Sequence, residues 1–245
     1  MKKILIVGAT SALATATARC FAHEGAELHL AARDQDGLER LAGDLRTRGA
    51  QHVSTSTFDA LSPNSHAELI RDAAMQLGEI DAALVAHGTL PSQELCQTQW
   101  SATEQALTVN FISPIALLTE LAQYFETKRR GNITVISSVA GDRGRQSNYV
   151  YGAAKGGLSI FLQGLRNRLA HHGVSVTTVK PGFVDTPMTA HIPKGPLFAS
   201  PERVGGRIHQ AMKRGESVVY TPWFWRFIMG IIVCIPEFIF KRLRL

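Results

Sequence analysis

"KILIVGATSALATA", residues 3–16, decides how this chain folds. Ile4 to Val7 form an apolar run of strand length, Gly8 opens a turn, and the alanine-rich segment from Ala12 favours a helix. A strand that turns tightly on glycine into a helix presents free backbone N–H groups and the positive end of the helix dipole to an anion. Turns of this kind that hold a dinucleotide usually carry three glycines. Here Gly8 stands alone, and Ala12 and Ala14 occupy the later positions of a G-x-x-x-G-x-G pattern. The middle glycine lets backbone approach a pyrophosphate and the last lets helix pack on strand. Alanine is the smallest replacement for either, so by itself the stretch reads either as a turn that has lost its ligand or as a working turn with tightened geometry, to which Thr10 and Ser11 add hydroxyl donors.

Outward from this turn the same alternation repeats. Strand-length apolar runs lie at 3–8, 27–32, 52–58, 80–88, 132–138, 174–182 and 217–221, and helical periods at 12–24, 35–48, 64–77, 101–128, 149–171 and 201–213. Continuous apolar strands separated by helices predict an α/β fold: a single doubly wound parallel sheet of Rossmann type, covered on both faces. Residues 1–221 read as one nucleotide-binding and catalytic domain, and 222–245 as a hydrophobic, amphipathic C-terminal tail. A chain of 245 residues with 45% hydrophobic content can bury a core of this size without a second domain.

The net charge of +6 is spread along the chain rather than gathered into basic blocks with interleaved aromatics, which argues against nucleic acid as a partner. Cys20, Cys96 and Cys234 are odd in number and far apart, so neither a disulfide framework nor a metal site is expected. Lys2 and Lys3 before an apolar run imitate a secretory signal, but Ile4 to Ala9 is shorter than a usual hydrophobic region. The expected setting is the cytoplasm.

The chemistry lies in "SSVAGDRGRQSNYVYGAAK", 137–155. Tyr151 and Lys155 are one helical turn apart and share a face. A phenol ionises near pH 10, and a cation close by lowers that value, giving a usable acid or base. Ser138, at the carboxyl end of a strand where open parallel sheets bind ligands, is placed to hold a substrate carbonyl oxygen. Ser137 should face the other way, and Tyr149 reads as packing.

On Ser138, Tyr151 and Lys155 the chain resembles the short-chain dehydrogenases/reductases, from Met1 to about Thr221. The resemblance implies that these three residues are catalytic and that Asn110, in "TVNFISP", holds a water in the proton relay. It also implies nicotinamide cofactor contacts from Gly8, Thr10, Ser11, Ala12 and Leu13, from Ala86 and Gly88 of "AHG", and from Tyr151 and Lys155. "PGFVDT" adds Pro181, Gly182, Val184 and Thr186, and Asp59 matches an adenine-contacting acid. A homo-oligomer, dimer or tetramer, is expected.

The second strand ends "LAARD", with Ala32 where NAD-dependent relatives carry an acid and Arg33 next. A guanidinium there can pair with a 2′-phosphate, so NADP(H) is the expected cofactor. Asp34 should point to solvent.

The tail, "TPWFWRFIMGIIVCIPEFIFKRLRL", has an uninterrupted apolar run of nine residues, Phe227 to Ile235, far short of the ~20 that cross a bilayer. Trp223, Phe224 and Trp225 at one end and Lys241, Arg242 and Arg244 at the other suit a peripheral segment at the inner face of the cell membrane, dispensable for the chemistry; the alternative is a hydrophobic tail buried against its own domain or in an oligomer interface. "FDAL", the 137–155 stretch, "PGFVDTPMTAHIPKGPL" and this tail together resemble the branch of the family that reduces decaprenylphosphoryl-2-keto-ribose. That resemblance implies a lipid-linked or sugar ketone as substrate, with Arg143 and Arg145 meeting its phosphate. A soluble oxoacyl or small carbonyl substrate is the second expectation, and a non-catalytic nucleotide sensor or scaffold the third.

Overall fold

The computed structural model describes residues 2–62, 65–190 and 192–243. Seven strands, β1 (Lys3–Val7), β2 (Glu27–Ala32), β3 (His52–Thr57), β4 (Ala82–Val85), β5 (Gly131–Ile136), β6 (Val174–Pro181) and β7 (Val218–Thr221), form one parallel sheet. Their order is β3-β2-β1-β4-β5-β6-β7. The chain builds outward from β1 to β3, then restarts at β4 on the other side of β1. A sheet wound both ways from its middle opens a crevice at the carboxyl ends of β1 and β4, where ligands bind.

The sheet is covered on both faces because β1 is apolar on both. Ile4 and Ile6 pack with Ala18 and Phe21 of α1 (Ala12–His23), with Leu38 of α2 (Gln35–Thr47) and with Ile208 of α8 (Pro201–Arg214), while α3 (Ser65–Leu77) covers the other face. Leu5 and Val7 belong to the opposite layer, with Leu117 and Leu158. Between α3 and α8 (Pro201–Arg214) lie α4 (Gln93–Thr98), α5 (Trp100–Leu107), α6 (Ser113–Lys128) and α7 (Tyr149–Ala170).

The expected helix at 101–128 is not one regular helix. A π-helical turn, Thr108–Ile112, joins α5 to α6, and it carries Asn110. Among the described residues, Trp100–Lys128 is also the one helix long and apolar enough to cross a membrane, but half of its most apolar window is buried within the fold. It is a core helix. The short helix α4 had no periodicity to announce it; the Ser92 hydroxyl caps it by accepting a hydrogen bond from Leu95 N at 3.3 Å.

The tail folds into α9 (Trp225–Cys234) and α10 (Glu237–Phe240). It is not a free appendage: Trp225 and Met229 are buried against Val139, with Phe183 and Tyr220 packed around them. Arg244, counted with the basic end of the tail, lies outside the described residues.

Candidate active site

The phosphate turn answers the question of its missing glycines. Gly8 has φ +76°, and a β-carbon there would sit 2.5 Å from the backbone nitrogen of His87, so this position admits glycine alone. Ser11 caps α1 by accepting from Ala14 N at 3.4 Å. Ala14 is fully buried in the layer between α1 and the sheet, so its methyl group fills space there. Ala12 instead lines the cleft.

Two adjoining cavities open along the sheet's carboxyl edge and share Thr10, Ser11, Ala86, His87 and Gly88. The first, about 730 Å³, continues to Ala32, Arg33 and Asp59. The second, about 380 Å³, holds Ala12, Leu13, Asn110, Ser138, Tyr151, Lys155, Pro181, Gly182, Val184 and Thr186. Every cofactor and catalytic residue expected from the sequence therefore lines one continuous cleft. Its first part has a glycine turn and a helix N-terminus beside an open basic group, which fits the phosphates and ribose of a dinucleotide.

At the far end, Arg33 is exposed and makes no ion pair among the described residues. Asp34 does not simply point to solvent: its carboxylate caps α2, accepting from Gly37 N at 3.0 Å. Asp34 remains exposed and lines the same cavity as Arg33, its carboxylate shared between the α2 N-terminus and Arg40 at 3.8 Å. Asp59 lines the cavity while its Oδ1 accepts from Leu61 N at 3.0 Å.

Ser137 and Ser138 part as the strand pleat requires. Ser137 is buried, hydrogen-bonded to Ser159 Oγ at 2.8 Å and donating to the Lys155 carbonyl at 3.1 Å. Ser138 faces the cleft and accepts from Ala140 N at 3.1 Å. Tyr149 is exposed at the start of α7, contrary to the expectation that it packs. Lys155 Nζ lies 5.9 Å from the centre of the Tyr151 ring and donates to the Ile136 carbonyl at 3.1 Å.

The electrostatics differ from the simple expectation. Burial pushes the Tyr151 phenol up to about 12, with the Ser138 hydroxyl pulling it back, and burial brings the Lys155 ammonium down to about 8. Desolvation dominates both shifts. Tyr151 holds its proton at neutral pH, the state a proton donor needs.

Asn110, completely buried, donates to the Ala106 carbonyl at 2.9 Å and to Thr89 Oγ1 at 3.3 Å, and accepts from Thr89 N at 3.1 Å. A β-carbon on the intervening Gly88 would lie 2.9 Å from Asn110 Oδ1 and 3.3 Å from Lys155 Nζ. The amide oxygen and the ammonium thus converge on one spot, with a lone pair of Oδ1 to spare for a water.

The two arginines of the catalytic loop separate. Arg145 lines the second cavity, and its Nε is buried without a hydrogen-bond partner among the described residues. Arg143 lines neither cavity. Its guanidinium donates to the carbonyls of Ile232, Val233 and Ile235 at 3.2, 2.8 and 2.6 Å, pairs with Glu237 at 2.9 Å and stacks on Phe240. It caps the carboxyl end of α9, where a cation meets unpaired carbonyls and the negative end of the helix.

Two residues, Trp225 and Asp142, take parts in this region that the sequence did not assign them. Trp225 lines the second cavity from the tail. A β-carbon on Gly182 would overlap its indole, so that glycine is needed for the tail to dock beside Pro181. Asp142 takes an ion pair from Lys180 of β6 and a hydrogen bond from the Tyr220 hydroxyl of β7 at 2.9 Å, bracing the loop that follows Ser138. Their partners are 38 to 78 positions away in the chain, beyond any local motif.

Comparison with known proteins agrees with this architecture. Residues 2–196 match the family described as short chain dehydrogenase. An uncharacterized oxidoreductase of Mycobacterium tuberculosis is 36% identical over 240 residues, covering 98% of this chain and 96% of its own. Another, of Streptomyces coelicolor, is 34% identical over 245 residues, covering 99% and 96%. The crystal structure of levodione reductase superimposes with a TM-score of 0.83 over 91% of this chain and 96% of its own at 20% identity, a likeness of fold. With the fold, the cleft and the Ser138, Tyr151 and Lys155 set in place, the chain belongs to the short chain dehydrogenase family, as an oxidoreductase that uses a nicotinamide cofactor.

Proposed function

We propose that this protein is an NADPH-dependent ketone reductase acting on a lipid-linked or sugar ketone. The observation that carries the reading is the second cavity, where Ser138, Tyr151 and Lys155 share the lining with the apolar Leu13, Val139, Phe183, Met188 and Trp225. An apolar chamber with a few convergent polar groups is the usual form of a small-molecule site.

When bound, NADPH supplies the hydride that reduces the carbonyl carbon. Ser138 donates a hydrogen bond to the carbonyl oxygen and fixes its position. As the C=O π pair collects on oxygen, the Tyr151 hydroxyl transfers its proton there, leaving an alcohol and a phenolate. Lys155, charged below about pH 8, stabilises that phenolate, and a proton returns to Tyr151 along Lys155 and a water held by Asn110. A general acid in this role contributes about 10²–10⁴-fold in rate.

Arg33 supports NADPH over NADH, because the second strand ends without an acid and the guanidinium stands unpaired beside the cavity. Arg145 supports a substrate with an anionic group. The resemblance to the decaprenylphosphoryl-2-keto-ribose reductases supports a phosphate-bearing sugar ketone. Assembly as a dimer or tetramer belongs to the same proposal, supported by Ile160, exposed on α7.

The test is cofactor oxidation with matched ketones, acetophenone and 4-acetylbenzoate, using NADPH and NADH in turn. Faster turnover with NADPH and with the carboxylate-bearing ketone is expected. Preference for NADH, or no reduction of any ketone, overturns the reading.

A further inference from the structure

Helix α9 has two faces with different fates. Trp225 and Met229 turn inward and are 3% and 1% exposed. On the other side Trp223, Phe227 and Ile231 follow one another at helical spacing, 67%, 64% and 71% exposed. Val233 continues this surface, and Phe238, Ile239 and Leu243 extend it through α10. An apolar stripe this long on a surface marks an interaction site.

The charges around the stripe select what covers it. Arg226, Lys241 and Arg242 are exposed at its two ends, and the acid within it, Glu237, is already paired with Arg143. A second copy of the same patch would set Arg226, Lys241 and Arg242 against the same three cations, with Glu237 as the one acid of each stripe among the described residues. An anionic lipid surface meets both the apolar stripe and the basic ends.

We infer that α9 and α10 lie in the interface of an anionic bilayer, with Trp223, Phe227 and Ile231 among the acyl chains and Lys241 and Arg242 at the headgroups. The ten residues of α9 are too short to span, so they lie in the interface plane. Because Trp225 on the inner face lines the second cavity, the same helix brings the substrate chamber next to the lipid. The inference is independent of the ketone proposed above and stands even if the substrate is soluble.

Flotation of the full-length protein with vesicles of phosphatidylcholine alone, and of phosphatidylcholine mixed with phosphatidylglycerol, tests it. Binding to the mixed vesicles, weakened by salt, is expected. Each basic residue near an anionic surface contributes about 1 kcal/mol, so Lys241→Gln with Arg242→Gln should lower partitioning about 30-fold. Phe227→Ser with Ile231→Ser should abolish it at an unchanged melting temperature. Should that pair unfold the protein, the charge variant alone decides. Failure to bind anionic vesicles, or binding indifferent to both variants, overturns the inference. So does a dimer in solution that the Phe227 and Ile231 variant converts to monomer, which would make the stripe an interface between copies.

Discussion

The two ends of the cleft are built in different ways. At the β1 and β2 end, the groups that meet a cofactor come from short continuous stretches: Gly8 to Leu13 turns into α1, and Arg33 follows directly on β2. At the β5 and β6 end, the site is closed by residues far apart in the chain. Arg143 reaches the tail, Asp142 reaches Lys180 and Tyr220, and Trp225 sits on Gly182. The first end can be replaced piece by piece, whereas the second stands or falls with the packing of the tail.

The largest effect that would break this comparison is at Trp225. Truncating a buried aromatic to alanine costs about 3–5 kcal/mol, so Trp225→Ala should lower the unfolding midpoint markedly and impair ketone reduction together with stability. Removal of 223–245 should do the same, against the sequence-based expectation that the tail is dispensable for the chemistry. Denaturant unfolding and reduction of acetophenone measure both. A truncated protein that keeps full stability and rate would show that the tail is an appendage after all.

The contrast also explains what the sequence made legible. The strands and helices were readable because the apolar runs and periods are local, and Ser138, Tyr151 and Lys155 because their spacing is set by one strand end and one helix turn. Arg143 was misplaced for the opposite reason. Two residues from Arg145 in the same loop, it carries the same charge and the same apparent exposure, and nothing nearby in the sequence reveals that the carbonyls ending α9 claim it. The direction of the Tyr151 shift is equally hidden, because it is set by burial, which depends on the whole fold.

A smaller effect sharpens the first end of the comparison. Arg33→Ala should weaken NADPH by about 1.5–3 kcal/mol, the worth of a charged hydrogen bond, and leave NADH nearly unchanged, with the melting temperature intact. Calorimetric titration of both cofactors reads the difference. An equal loss for the two would remove Arg33 from the 2′-phosphate.

The smallest effect concerns acid. Burial holds His87 down to about 3 and His29 to about 4, from an ordinary value near 6.5. Both are neutral in the folded and unfolded chain above that value and cost nothing there. Below it the unfolded chain takes up protons that the folded one refuses, so stability falls by up to about 1.4 kcal/mol per pH unit for each histidine. The melting temperature should be level near neutrality and decline as pH drops from about 6.5 toward 4. His87→Asn should flatten part of that slope, and an unaltered profile in the variant would mean that His87 titrates normally.

The central claim, that Tyr151 is the proton donor of a nicotinamide-dependent reductase, is tested most directly by single-turnover reduction with Tyr151→Phe. The ring packs as before and only the hydroxyl is lost, so NADPH should bind as it does to the wild type while the rate of ketone reduction falls about 10²–10⁴-fold. A Phe variant that reduces ketone at close to the wild-type rate would contradict the account.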